Sequence, residues 1–146
     1  MNKKILIVSA DYYEEISNSL LQGATNYIES LKYNESRDFN FTFEIKKAPG
    51  SFEIPFIINN FRDKYDAFIA LGCIIRGDTY HFELISNEVT RKIMDLSISM
   101  SKPIGFGLLT CNNIEQAKIR SDINQKNKGS EAAKACVAML INKSYG

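Results

Sequence analysis

Leu71-Gly72-Cys73-Ile74-Ile75-Arg76-Gly77-Asp78-Thr79-Tyr80-His81-Phe82-Glu83 runs from an unbroken apolar segment through a glycine turn into a helical pattern, and it holds the only histidine of the 146 residues. Apolarity without alternation marks a strand covered on both faces, the kind found in parallel sheets flanked by helices. A strand ending at Gly77 with a helix opening at Thr79 leaves backbone N–H groups unpaired and converging on one point, a place for an anion such as phosphate. His81 then stands beside that point. An imidazole titrates near neutrality, and open α/β sheets bind ligands beyond the carboxyl ends of their strands, so this turn is expected in an active site. Taken singly, a strand–glycine–helix turn and a histidine at a helix start are each as often structural as functional. Their coincidence within a few residues favours function.

Upstream, Lys3 to Ala10 is a second unbroken apolar run and reads as the first strand. Ile16, Leu20, Ala24, Tyr27 and Leu31 follow at helical spacing, with Glu14 and Glu15 in the first turn where the helix dipole favours acids, and this helix is expected to end near Tyr33. Asn34 to Asp38 reads as a loop. Phe39, Phe41, Phe43 and Ile45 then alternate with polar residues, the sign of an edge strand wet on one face. Ala48-Pro49-Gly50-Ser51 is a turn, and Phe52 to Phe61 a helix with Pro55 near its start. Asp66 to Ile75 is the third strand. Downstream, Phe82, Ile85, Val89, Ile93, Leu96 and Met100 form the stripe of a long helix, and Pro103 to Thr110 the fourth strand. Asn113 with Gln116 resembles a capping box opening a short helix that ends near Arg120 and Ser121. A last helix from about Gly129 to Asn142 has an apolar surface too broad for one buried face, so part of it is expected against another subunit. Alternating strands and helices with right-handed crossovers give an α/β fold: one domain over residues 1–146, a three-layer sandwich around a flavodoxin-like, four-stranded parallel sheet of order 2-1-3-4 with helices on both faces.

Eighteen basic and seventeen acidic residues are interspersed, which leaves no stripe for nucleic acid and no polybasic arm for a membrane. The expected partner is a small molecule or another copy of the chain. The first apolar run is too short for a signal peptide, and a cytoplasmic location is expected. Cys73, Cys111 and Cys136 are odd in number and lack a Cys-x-x-Cys, so neither disulfides nor a metal site is indicated. Gly105-Phe106-Gly107 lies within a strand and lacks the third glycine of a dinucleotide turn, and no P-loop is present, so bound NAD, FAD or ATP is not expected. Among the loops at the strand ends, Tyr12 and Tyr13 offer ring faces to a flat heterocycle or serve as a hydrophobic staple. Glu53 can accept hydrogen bonds from hydroxyl groups or simply complement a helix dipole.

Pro49-Gly50-Ser51-Phe52-Glu53-Ile54-Pro55, the stretch from Gly72 to Glu83, Asn87-Glu88, Phe106-Gly107, Leu109-Thr110 and Asn127-Lys128-Gly129 with Glu131-Ala132-Ala133 resemble, in order and spacing, the lumazine synthase family of riboflavin biosynthesis. The resemblance spans essentially the whole chain. It implies condensation of 5-amino-6-(D-ribitylamino)uracil with 3,4-dihydroxy-2-butanone 4-phosphate, without metal or cofactor. It implies that Tyr12 stacks on the pyrimidine, that Ser51, Phe52 and Glu53 hold the ribityl chain, and that Cys73, Ile74 and Ile75 line the heterocycle pocket. Gly77, Asp78 and Thr79 match a phosphate-binding turn and His81 a proton-transfer residue. Phe106, Arg120 and Lys128 match residues reaching into a neighbour's site, Arg120 toward the phosphate. The resemblance further implies a homopentamer or larger shell, and riboflavin synthase as a possible companion. Asp11 departs from the family, standing where many relatives carry arginine, and Asp78 sets a carboxylate beside the expected phosphate. Two rival readings are a cysteine hydrolase using Cys111 or Cys73 with His81 as base, and a non-catalytic lumazine- or flavin-binding shell protein.

Overall fold

A computed structural model of the chain describes residues 1–33 and 38–145; apart from Asp38, the expected loop Asn34 to Asp38 lies outside the described residues. Strands β1 (Asn2–Ala10), β2 (Asn40–Ala48), β3 (Ala67–Ile75) and β4 (Ile104–Cys111) form one parallel sheet in the order β2-β1-β3-β4. The two unbroken apolar runs are the two central strands. In β1, Ile5 and Ile7 face one side and Leu6 and Val8 the other, all completely buried, which is why no alternation is visible in their sequence. β2 pairs only with β1, the edge position that the alternating pattern predicts, although Ile45, on the apolar side of that pattern, stays 40% exposed.

Helices α1 (Glu14–Ser30), α4 (Ile114–Ser121) and α5 (Lys128–Tyr145) cover one face, while α2 (Ile54–Asn60) and α3 (His81–Met100) cover the other. Single 3-10 turns at Leu31–Tyr33 and Ser51–Glu53 finish α1 and lead into α2. Ile69 and Leu71 of β3 join Ile16, Leu20, Val137 and Leu140 in the first core; Phe68 joins Ile54, Val89 and Ile93 in the second. Each fully buried side chain of this size contributes roughly 1.5–3 kcal/mol of burial free energy.

The close packing of α5 explains its broad apolar surface. Ala132, Ala133, Cys136, Val137 and Leu140 are all buried within the chain, between α1 on one side and β4 on the other. Of the large apolar side chains of its body, Met139 alone stands half exposed, so most of the surface expected against another subunit is used internally. Glycines make this approach possible. A Cβ on Gly105 would stand 2.2 Å from the Ala132 carbonyl oxygen, and one on Gly129 would stand 2.0 Å from that of Leu20. The Gly-x-Gly of β4 therefore admits a helix to a strand, consistent with refusing it as a dinucleotide turn. Asn127 enters α5 in the left-handed region at φ 46°, and its Oδ1 occupies the space that Gly23 of α1 leaves open.

Candidate active site

The carboxyl ends of β1, β2 and β3 enclose a cleft of about 450 Å³. Tyr12 and Tyr13, which follow β1, form one wall, with ring centroids 5.0 Å apart in an edge-to-face arrangement. The two residues differ in their surroundings. Tyr13 precedes α1 and packs on the core, where burial pushes its hydroxyl pKa up, while Tyr12 stands 75% exposed with its ring free for a planar ligand. Ser51, Phe52 and Glu53 form the opposite wall. Gly50 has an extended backbone and needs no glycine-only conformation; what it supplies is space, because a Cβ there would meet the Glu53 carboxylate at 3.3 Å.

Cys73, Ile74 and Ile75 make the floor. The strand residue before them, Gly72, is where the 3-10 turn settles onto the sheet: a Cβ would lie 2.7 Å from Ser51 Oγ and 3.0 Å from Leu108 Cδ1. Ser51 is buried, and its hydroxyl, turned toward Gly72, has no hydrogen-bond partner among the described residues. His81, first residue of α3, and Ile85, one turn on, complete the lining. Ile85 shares the apolar stripe with core residues, but its spacing of four from His81 puts both on one helix face.

The turn after β3 departs from its expected bounds. β3 ends at Ile75, as the apolar run predicts and short of Gly77, and α3 begins at His81, not Thr79. Arg76 donates its backbone N–H to the Cys111 carbonyl at 2.8 Å, after which residues 77–80 form an exposed loop. The Thr79 hydroxyl accepts the His81 N–H at 3.3 Å. Gly77, Asp78 and Thr79 border His81 in the chain without lining the cleft, and the space around Gly77 is open.

Phe106, Arg120 and Lys128 are brought together elsewhere. They line a second hollow of about 540 Å³ beside β4, which shares no lining residue with the first. Phe106 is 45% exposed there. Arg120, half-buried at the end of α4, donates to the Gln116 carbonyl at 3.3 Å and makes no ion pair among the described residues. Lys128 opens α5 and pairs with Glu131 at 2.9 Å. α4 itself starts as anticipated: Asn113 Oδ1 accepts the Gln116 N–H at 2.9 Å, while the Gln116 side chain accepts from the Asn112 N–H at 2.7 Å.

The thiols do not have the character of nucleophiles. Burial pushes Cys73 up to about 12, with Cys111 beside it, and raises Cys111 as well, whereas an attacking cysteine needs a depressed value. Among the described residues no group of three or more His, Cys, Asp or Glu is placed to hold a metal ion, and no helix is long and apolar enough to cross a membrane.

The family model for 6,7-dimethyl-8-ribityllumazine synthase matches residues 2–144. The chain belongs to that family. It is 40% identical to a 6,7-dimethyl-8-ribityllumazine synthase of Bartonella henselae, over 97% of this chain and 90% of that protein. It is 41% identical to one of Agrobacterium fabrum over 97% and 96%, and 43% identical to one of Zymomonas mobilis over 94% of each. The cleft residues Tyr12, Ser51 to Glu53, Cys73 to Ile75 and His81 therefore lie on a lumazine synthase framework matched over nearly its full length.

Proposed function

We propose that the chain condenses 5-amino-6-(D-ribitylamino)uracil with 3,4-dihydroxy-2-butanone 4-phosphate to 6,7-dimethyl-8-ribityllumazine, phosphate and water. The observation that carries this reading is one cleft, on a full-length lumazine synthase framework, that joins an exposed aromatic face, a hydroxyl-seeking wall and the only imidazole. Tyr12 stacks on the pyrimidine over the floor of Cys73, Ile74 and Ile75. Ser51 and Glu53 bind ribityl hydroxyls, with Phe52 closing the side. The substrate amine is itself the nucleophile, so no serine or thiol need be activated. The protein contributes juxtaposition of two substrates, worth up to about 7–11 kcal/mol in well-oriented cases, and proton transfer through His81, worth typically about 10²–10⁴-fold.

The second hollow supplies what the cleft lacks. The cleft lining contains no arginine or lysine, while Arg120 and Lys128 sit unspent by the chain's own cleft. Phosphate recognition then comes from Gly77, Asp78 and Thr79 of one copy and Arg120 of a neighbour, with Phe106 and Lys128 of that neighbour closing over the heterocycle. Copies joined in this way form a pentamer or larger shell. The reaction requires no cofactor or metal and runs in the cytoplasm, with riboflavin synthase consuming the product. The test is incubation of the purified chain with both substrates while lumazine fluorescence and phosphate release are followed. Equal appearance of both supports the reading. Tight lumazine binding with no turnover identifies the non-catalytic alternative instead.

A further inference from the structure

We propose that Arg76 is a positioning residue that locks the first turn of α3, and with it His81, against the ends of β3 and β4. The inference rests on the reading of the cleft as a lumazine synthase site and adds a residue to it. α3 starts without the usual restraint: Tyr80 at its N-cap provides no side-chain hydrogen bond, and only the 3.3 Å contact from Thr79 steadies the His81 N–H. Helix ends fray unless their unpaired groups are held. A proton-transfer group placed on such an end needs another anchor, because misplacement by an ångström costs on the order of 10²-fold.

Arg76 is built as that anchor. Its guanidinium pairs with the Glu83 carboxylate, donates Nε–H to Asn112 Oδ1 at 3.1 Å, and lies on the Phe82 ring with Cζ 4.5 Å from the centroid. The two residues immediately after His81 are thus gripped by one side chain. Its own backbone is tied to Cys111 of β4, so the grip transmits the rigidity of the sheet to the helix start. The pairing also holds the Glu83 carboxyl below its ordinary pKa. Asn112 leads into α4, whose far end presents Arg120, so the same guanidinium ties the start of α3 to the element carrying the other hollow. A planar fork that bridges two acceptors while stacking on a ring is an arginine's task; a lysine cannot repeat it. Nor is stability the evident gain, since solvent screens an ion pair at the surface and leaves it contributing little.

The decisive experiment is a double-mutant cycle with full steady-state kinetics on the intact oligomer. Arg76→Ala is expected to lower kcat about 10-fold with both KM values within about twofold, and Arg76→Lys to recover little of it. In a His81→Ala background the same change should alter kcat by less than about twofold, because the imidazole through which it acts is gone. A full decrement in that background, an unchanged kcat, or a raised KM for the phosphorylated substrate overturns the proposal. A second arm is independent of turnover. With one histidine in the chain, its labelled imidazole gives a single NMR signal, which Arg76→Ala should shift or split. An unmoved signal overturns the proposal even in an active enzyme, whereas absence of lumazine formation by the unaltered chain rejects the functional reading and leaves the signal to decide the positioning. If Arg76→Ala does not fold, Glu83→Gln removes the charged pair while leaving the Asn112 and Phe82 contacts, and should move kcat and the imidazole signal in the same direction by a smaller amount; no change in either overturns the proposal.

Discussion

Gly129→Ala tests whether contact between α1 and α5 depends on a missing methyl group. The added carbon would stand 2.0 Å from the Leu20 carbonyl oxygen, 2.8 Å from its carbon and 3.0 Å from the Leu20 Cα. These are backbone atoms in the middle of a 17-residue helix, so no side-chain rotation relieves the clash. One helix must retreat by more than an ångström, loosening Leu20, Ala24, Ala133 and Val137 together. Overpacking a core typically costs about 1–3 kcal/mol, and backbone displacement places this case at the upper end. Alanine returns roughly 0.5–1 kcal/mol through its better helix propensity. The net loss is about 2–2.5 kcal/mol, a melting temperature lower by roughly 4–10 °C in a chain of this length. The assay is thermal unfolding by circular dichroism at one fixed protein concentration, so that any self-association weighs equally on both proteins. Lys128→Ala, which removes a half-exposed ion pair next door, serves as control and should cost at most about 1 kcal/mol. A Gly129→Ala protein melting at or above the unaltered chain would refute the close-approach argument.

His81→Ala should lower turnover by about 10² while leaving it above the uncatalysed rate, since holding the two substrates together survives the change; loss to the uncatalysed rate in a folded variant contradicts this. Arg120→Ala should raise KM for the phosphorylated substrate at least about 10-fold, the worth of a charge-assisted hydrogen bond, and leave KM for the uracil substrate unchanged. An unaltered KM for the phosphorylated substrate sinks that assignment. Stability should fall in alkali. Burial raises the Cys136 thiol to about 12, so the folded state keeps a proton that the unfolded chain releases above about 9. The stabilisation is complete below the unfolded value and is lost as pH climbs toward 12, at on the order of 1 kcal/mol per pH unit. Urea unfolding between pH 8 and 10 should show a shallower decline for Cys136→Ala; equal slopes would exclude the thiol as the cause.

The central strands were legible because burial on both faces removes polar residues from Leu6 or Phe68 as surely as from Ile5 or Ile69, and the edge strand because one wet face restores alternation. The cleft followed from topology: a parallel sheet collects its carboxyl ends, so Tyr12, Ser51, Cys73 and His81, far apart in sequence, had to meet. What local pattern could not give was long-range. The start of α3 lies beyond Thr79 because Arg76 is still bonded to Cys111, thirty-five residues downstream. The fit of Asn127 over Gly23 depends on two helices meeting, and neither residue signals that alone. The clustering of Phe106, Arg120 and Lys128 away from His81 likewise required the packing of α4 and α5 beside β4; only the resemblance had set those three residues apart.

Gly72 carries a consequence for how such a cleft can evolve. Its missing side chain leaves room for Ser51 Oγ and Leu108 Cδ1, so any larger residue would push both side chains aside and reshape the chamber from beneath. Selection for a bulkier or slimmer guest is consequently barred from the bottom and free to act at the brim, where the rings of Tyr12 and Phe52 project into solvent and can be exchanged at little cost to folding.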